Sequence, residues 1–275
     1  MPLSLKTVEP TRGMRWISDA LRLFIKRPLG LMAFLGVFLL WLLVAGKVPY
    51  LGVVLVLMSI PLLSLGFMIA SQSALLDGPV QMRQYIAPLR ADPKRRNALL
   101  KLCGSYALVF LLMLWLSDRL SDGGLMALSD FMRLGQPNQA QMEALMADEK
   151  VSNFVSLSSL LTSLLSVPYW HATALVHWGG QGAGQAVFSS TLALWRNKGA
   201  FTVYCLGWMG LSILASTMIV TVVFLLGLPL AALPALAILL AYGALFYVSL
   251  LFVFNDSFGG SPVQTDDDPQ TQPSL

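Results

Sequence analysis

Between residues 28 and 255 the chain is a series of long apolar runs separated by short polar breaks. A run of about 20 apolar residues crosses a hydrocarbon core of about 30 Å as a helix. The pattern predicts six spans, at about 28–46, 51–76, 99–117, 154–178, 199–226 and 229–254. Spans one and two are separated only by Lys47-Val48-Pro49-Tyr50, and spans five and six only by Gly227-Leu228. Connections this short make each pair antiparallel neighbours. The expected fold is therefore an all-α, polytopic membrane helical bundle built from three hairpins.

A second pattern precedes the odd-numbered spans. Eight residues after Gly13 stands Leu21 and eleven after it Phe24, followed by Lys26 and Arg27. The same offsets from Gly78 give Ile86 and Leu89, then Arg90, and from Gly184 they give Leu192 and Trp195, then Arg196. Gly36 and Gly207 also lie at equal offsets from Gly13 and Gly184. This reads as three copies of one unit, an amphipathic helix followed by a hairpin. In the first copy Arg15, Asp19, Arg22 and Lys26 form one polar stripe, and Trp16, Ile17, Ala20, Leu21 and Phe24 cover the other side. Such a helix either lies in the headgroup plane, with Arg15, Arg22 and Lys26 on anionic lipid, or packs against the ends of the bundle. The nearly uncharged third copy suits packing better.

Composition supports the membrane reading. Of 275 residues, 56% are apolar and 12% charged, where a soluble domain carries roughly 25% charged residues. The run after Pro28 is too long for a signal-peptide core and reads as an uncleaved first span. Of the 18 basic residues, all but Lys47, Arg119, Arg133 and Lys150 fall on the side of the termini. The positive-inside rule makes that side cytoplasmic. The one sizeable external segment, 118–153, has a turn signal at Asp122-Gly123-Gly124 and a predicted short helix over 139–149. Residues 255–275, rich in Gly, Pro and acidic side chains, read as a disordered cytoplasmic tail.

Little chemistry is written into the spans. No Asp, Glu, Lys or Arg lies clearly within one, and ionisable residues there are the default functional candidates. The polar features concentrate in span four, where Ser156, Ser159, Ser163 and Ser166 form a stripe running to Pro168 and His171. The stripe either joins helices through hydroxyl bonds or lines a cavity. Pro61 in span two and Pro168 in span four each follow a serine by two residues, Ser59 and Ser166. Each proline is a kink, static or hinge-like, at which the hydroxyl can satisfy freed backbone. His171 reads as a hydrogen-bonded packing residue or as a catalytic or proton-relay group. Cys103 and Cys205 read as packing residues, and no enzyme motif, cofactor or metal site, or nucleic-acid surface is expected.

Gly13-x-x-Trp16-Ile17, then Leu23-Phe24-x-Lys26-Arg27-Pro28, and Pro61-x-x-x-x-Gly66 in span two together resemble a family of proteobacterial inner-membrane proteins of unknown function. The layout is also similar to YciC-like proteins and to the membrane domain of some glycerophosphodiester phosphodiesterases. The resemblance implies the bacterial inner membrane and supplies no catalytic residue. The expectation is a non-enzymatic membrane protein serving envelope or lipid homeostasis or a partner complex, with membrane lipids, a membrane protein or a second copy as partners. The alternative is a transporter or channel for a weakly polar or lipidic substrate.

Overall fold

The computed structural model describes residues 3–90, 92–133 and 139–259. The expected tail beyond 259 lies outside the described residues. The described chain is helical: α1 (Arg12–Lys26), α2 (Pro28–Ala45), α3 (Leu51–Leu75), α4 (Arg83–Ile86), α5 (Pro93–Leu120), α6 (Gly124–Met132), α7 (Gln139–Ala147), α8 (Glu149–His177), α9 (Ala183–Arg196) and α10 (Lys198–Phe258). The α2, α3, α5, α8 and α10 helices are long and apolar enough to cross a bilayer.

The 61 residues of α10 would extend about 90 Å as one rod, three times a hydrocarbon core. The chain instead reverses at Gly227, whose φ of 72° is accessible to glycine at little cost. Its two arms, 198–226 and 228–258, then run antiparallel. Tyr204 pairs with Ser249 and Ser212 with Tyr242, each through hydroxyls 2.6 Å apart, and Trp208 stacks edge-on against Phe246. The α2–α3 and α5–α8 pairs complete the three hairpins, the last joined through α6 and α7.

Helix ends follow local chemistry. Arg27 precedes a proline, a position that disfavours helical backbone, and its φ/ψ of −139°/48° separates α1 from α2. Pro28 then takes the first helical position, where its missing donor costs nothing. The pair Asp92-Pro93 starts α5 in the same way, with the Asp92 carboxylate accepting from the Lys94 N–H. Asp148 caps α8 by accepting from Lys150 and Val151. Both capped helices begin several residues before the apolar run, so hydropathy understates their length. In the second unit the preceding helix is only α4, continued by a single 3-10 turn, Ala87–Arg90. Tyr85 on α4 stacks on Phe34 at 3.9 Å and donates to the Phe34 carbonyl. Burial pushes this phenol well above its usual range.

The chain ends meet. Ser4 and Lys6 donate their N–H groups to the Phe258 and Ser257 carbonyls, at 3.1 and 2.9 Å. The α1 helix packs along α10 with Trp16 fully buried against Phe201 and Tyr204. Asp256 locks that contact: its Oδ2 accepts from Arg12 Nε at 2.8 Å and Trp16 Nε1 at 2.7 Å, and lies 2.6 Å from Arg12 Nη2. Partly buried bonds to a charged group contribute roughly 1.5–3 kcal/mol each. The exposed Asp19–Arg22 pair at 3.4 Å is worth roughly 0–1 kcal/mol, so Asp256 is the anchor. The last helix carries Asp256 and continues to Phe258, four residues past the expected end of span six at 254.

The α1–α10 contact depends on a missing side chain. A Cβ on Gly13 would lie 2.2 Å from the Ala200 carbonyl oxygen and 2.8 Å from the Tyr204 nitrogen, both immobile backbone atoms. Gly13→Ala should therefore lift α1 off α10 and destabilise the protein by roughly 1–3 kcal/mol. A lower melting temperature in detergent and faster tryptic cleavage at Arg15 and Arg22 would register this, whereas unchanged values would show that α1 docking is dispensable.

Candidate functional site

Candidate residues fall on α1 and α8. Steps of about 100° per residue divide α1 into three faces. Trp16, Ile17, Ala20 and Leu23 are buried against the bundle. Met14, Leu21 and Ile25 form a second face that is 52%, 44% and 65% exposed. Arg15, Arg22 and Lys26 form the third, also exposed. Of the two options open for this helix, packing is realised on the Trp16 face. A cationic ridge, with Arg22 paired to Asp19, stays exposed beside an apolar face.

On α8 the expected polar stripe divides. Ser159 and Ser163 are exposed on the outer surface of the helix, and Ser166 is half-buried, donating to the Ser163 carbonyl at 2.8 Å. Neither Ser159 nor Ser163 lines the groove that Pro168 borders. Most of the buried residues of α8 lie from Tyr169 to Val176, with Val151 and Phe154 near its start, and Ser159 and Ser163 fall between these two buried stretches. The two proline sites share one arrangement. Ser59 donates to the Val56 carbonyl at 2.6 Å, as Ser166 does to that of Ser163. In each case the accepting carbonyl lies five residues before the proline, whereas the ring frees the carbonyl four before it. The hydroxyls therefore brace the adjacent carbonyl and leave the freed one alone. Pro61 itself is buried, and Ser59 also accepts from the Trp41 indole at 3.2 Å.

His171 is fully buried, with the Phe201, Phe254 and Phe258 rings at 6.0–6.2 Å. Neither ring nitrogen has a hydrogen-bond partner among the described residues. The expected hydrogen-bonded packing residue is thus a packing residue without its bonds, far from Ser159 and Ser163 on the same helix. No three His, Cys, Asp or Glu side chains converge as a metal site requires among the described residues.

Two features carry no signal in the sequence pattern. Asn197, buried between Arg196 and Lys198, accepts from the Val8 N–H at 2.8 Å and donates to the Lys6 carbonyl at 3.0 Å. Its amide thereby holds the N-terminal segment as a strand neighbour would. The second is the groove bordered by Pro168, about 520 Å³ between α8, α9 and the first arm of α10. Both arise between residues remote in sequence.

The sequence is 30% identical to a protein of Burkholderia thailandensis named "Probable inner membrane protein", over 216 residues, 77% of each chain. The chain belongs to the family of this inner membrane protein. That membership and the long apolar helices place it in the inner membrane. No family model matches the sequence, and no solved structure matches it.

The unpaired imidazole gives a direct test. A buried polar group without partners costs roughly 1–3 kcal/mol, which an apolar replacement of similar volume removes. His171→Leu should leave the melting temperature in detergent unchanged or raise it. A clear fall would show that the imidazole nitrogens are satisfied by a bound water or partner.

Proposed function

We propose that the protein is a non-enzymatic component of the inner membrane that engages anionic lipid of the cytoplasmic leaflet through α1, in a role of lipid or envelope homeostasis. One observation carries this reading: the cationic ridge Arg15, Arg22 and Lys26 is exposed beside the exposed apolar face Met14, Leu21 and Ile25. A helix held by its third face and presenting these two sits at the headgroup boundary, apolar side toward acyl chains and cations toward phosphate. The non-enzymatic part is supported by how the polar groups are used. Tyr204–Ser249, Ser212–Tyr242 and Ser105–Tyr169 bond one another across helices, leaving those hydroxyls to packing.

The reading includes cytoplasmic termini, supported by the 14 basic residues on that side and by the joined chain ends, which require an even number of crossings. It includes the threefold repeat, supported by the shared serine–proline arrangement and by α1 and α9, each leading into a hairpin.

Spin labels test the geometry in vesicles containing phosphatidylglycerol, in a Cys205→Ser background. Labels at Leu21→Cys and Ile25→Cys should be reached by oxygen dissolved in the membrane, and labels at Arg15→Cys and Arg22→Cys by an aqueous nickel complex. Aqueous access at all four positions would refute the interfacial helix. Topology is tested separately: reporter fusions after Arg95 and Leu275 should be active as cytoplasmic, and an external C-terminus would overturn the orientation.

A further inference from the structure

The groove at Pro168 is built differently from a packing defect. Leu164 and Pro168 of α8 form one wall, Trp195 of α9 lies near its terminal-side end, and Lys198, Cys205 and Met209 of α10 run along the other wall. Its volume, about 520 Å³, lies within the roughly 300–1,000 Å³ typical of small-molecule sites. It is open sideways, since Leu164 is 61% exposed, Trp195 73% and Met209 59%. Opening in that direction faces the lipid.

Polar groups in the walls are already used. Thr191 donates to the Val187 carbonyl and Thr202 to that of Lys198, both at 2.8 Å within their own helices. The threonines thus turn apolar character toward the groove. Lys198 is the exception, an exposed ammonium with no ion-pair partner among the described residues, poised 5.7 Å from the centre of the Trp195 ring. A cation and an indole at one end of an apolar groove reproduce the order of a membrane from headgroup to chain.

The dimensions agree. From Lys198 to Met209 is eleven residues, or about 16 Å along a helix. One leaflet of hydrocarbon is about 15 Å deep, half the core. We propose that this groove binds one anionic glycerophospholipid, an acyl chain lying along Cys205 and Met209 and the phosphate paired with Lys198. That lipid belongs to the cytoplasmic leaflet, the one point at which the proposal rests on the orientation given above. It does not depend on α1.

The full-length protein in phosphatidylcholine nanodiscs would be doped with phosphatidylglycerol carrying a mid-chain photoactivatable diazirine, or with the matching phosphatidylcholine probe. After irradiation, cross-linked peptides are mapped by mass spectrometry. The phosphatidylglycerol probe should concentrate on 164–168 and 198–209 over the more exposed stretch 228–239. Lys198→Gln, a surface change that spares the fold, should lower that labelling by about fivefold, the size expected of one cation at an anionic surface. Cys205→Trp should block the groove to both probes while melting as the parent does. Even labelling of all lipid-facing helices, equal labelling by the two probes, or unchanged labelling in Lys198→Gln would each overturn the proposal. The Arg15→Gln, Arg22→Gln, Lys26→Gln variant should leave groove labelling intact. Loss of labelling there would assign the selection to α1 and overturn the role of Lys198, which keeps failure of the two readings apart.

Discussion

A single carboxylate oxygen joins the first and last elements of this protein. Asp256 Oδ2 receives Arg12 and the Trp16 indole, and that junction decides where α1 can lie. A helix as amphipathic as α1 has no reason of its own to choose the bundle over the membrane surface. With Trp16 drawn to Asp256 and Gly13 against the backbone at Ala200, the Trp16 face must be the packed one. The remaining faces are then fixed by the geometry of a helix, and the cationic ridge can only point outward. Asn197 secures the same junction from the other side by holding the segment that leads into α1. The exposed surface of α1 is therefore a consequence of a buried polar contact.

Reading the sequence reaches what local chemistry decides. Pro28 marks the start of α2 by backbone restriction, and Gly227 marks the reversal between the two apolar arms of α10, whereas the Asp92-Pro93 start of α5 lies ahead of the apolar run at 99. These features need no knowledge of distant partners. The α6 helix is hidden because Gly123-Gly124 reads as a turn, which it is, with Gly123 at a φ of 89° ahead of the helix. The candidate site is less legible. Asp256 meets Arg12 across 244 positions and Asn197 meets Val8 across 189, and no periodicity encodes either contact. Ser159 and Ser163 are legible as a stripe, but a stripe does not say whether a helix, a cavity or lipid lies opposite. Helix packing answers that, and it leaves them exposed.

That packing is uneven along the membrane normal. Toward the end where the termini meet, Leu99 to Ala107 of α5, Tyr169 to Val176 of α8 and Ala244 to Phe258 of α10 hold most of the buried residues of those helices. Toward the other end Leu112, Leu160, Leu164, Phe224 and Leu233 are all at least half exposed. In water such a surface would drive aggregation; in hydrocarbon an exposed leucine costs nothing, because lipid chains are as apolar as leucine. Helices there need only satisfy their own backbone, which Thr217 and Thr221 illustrate by bonding carbonyls four residues back.

The Pro168 groove lies where these two regimes meet. Below it, α8 packs through Tyr169 and Ala172 into the core; above it, the helix faces outward from Leu164 to Ser159. A proline at that border removes the backbone bond that would carry one helix geometry into the other, while Ser166 braces the neighbouring carbonyl. The gap left beside α10 is then bounded by protein on the terminal side and by lipid elsewhere. A space of that kind fills with whatever the bilayer supplies, and among the described residues that line it Lys198 alone carries a charge. Anionic selectivity at this position thus follows from where tight packing stops and requires no catalytic machinery.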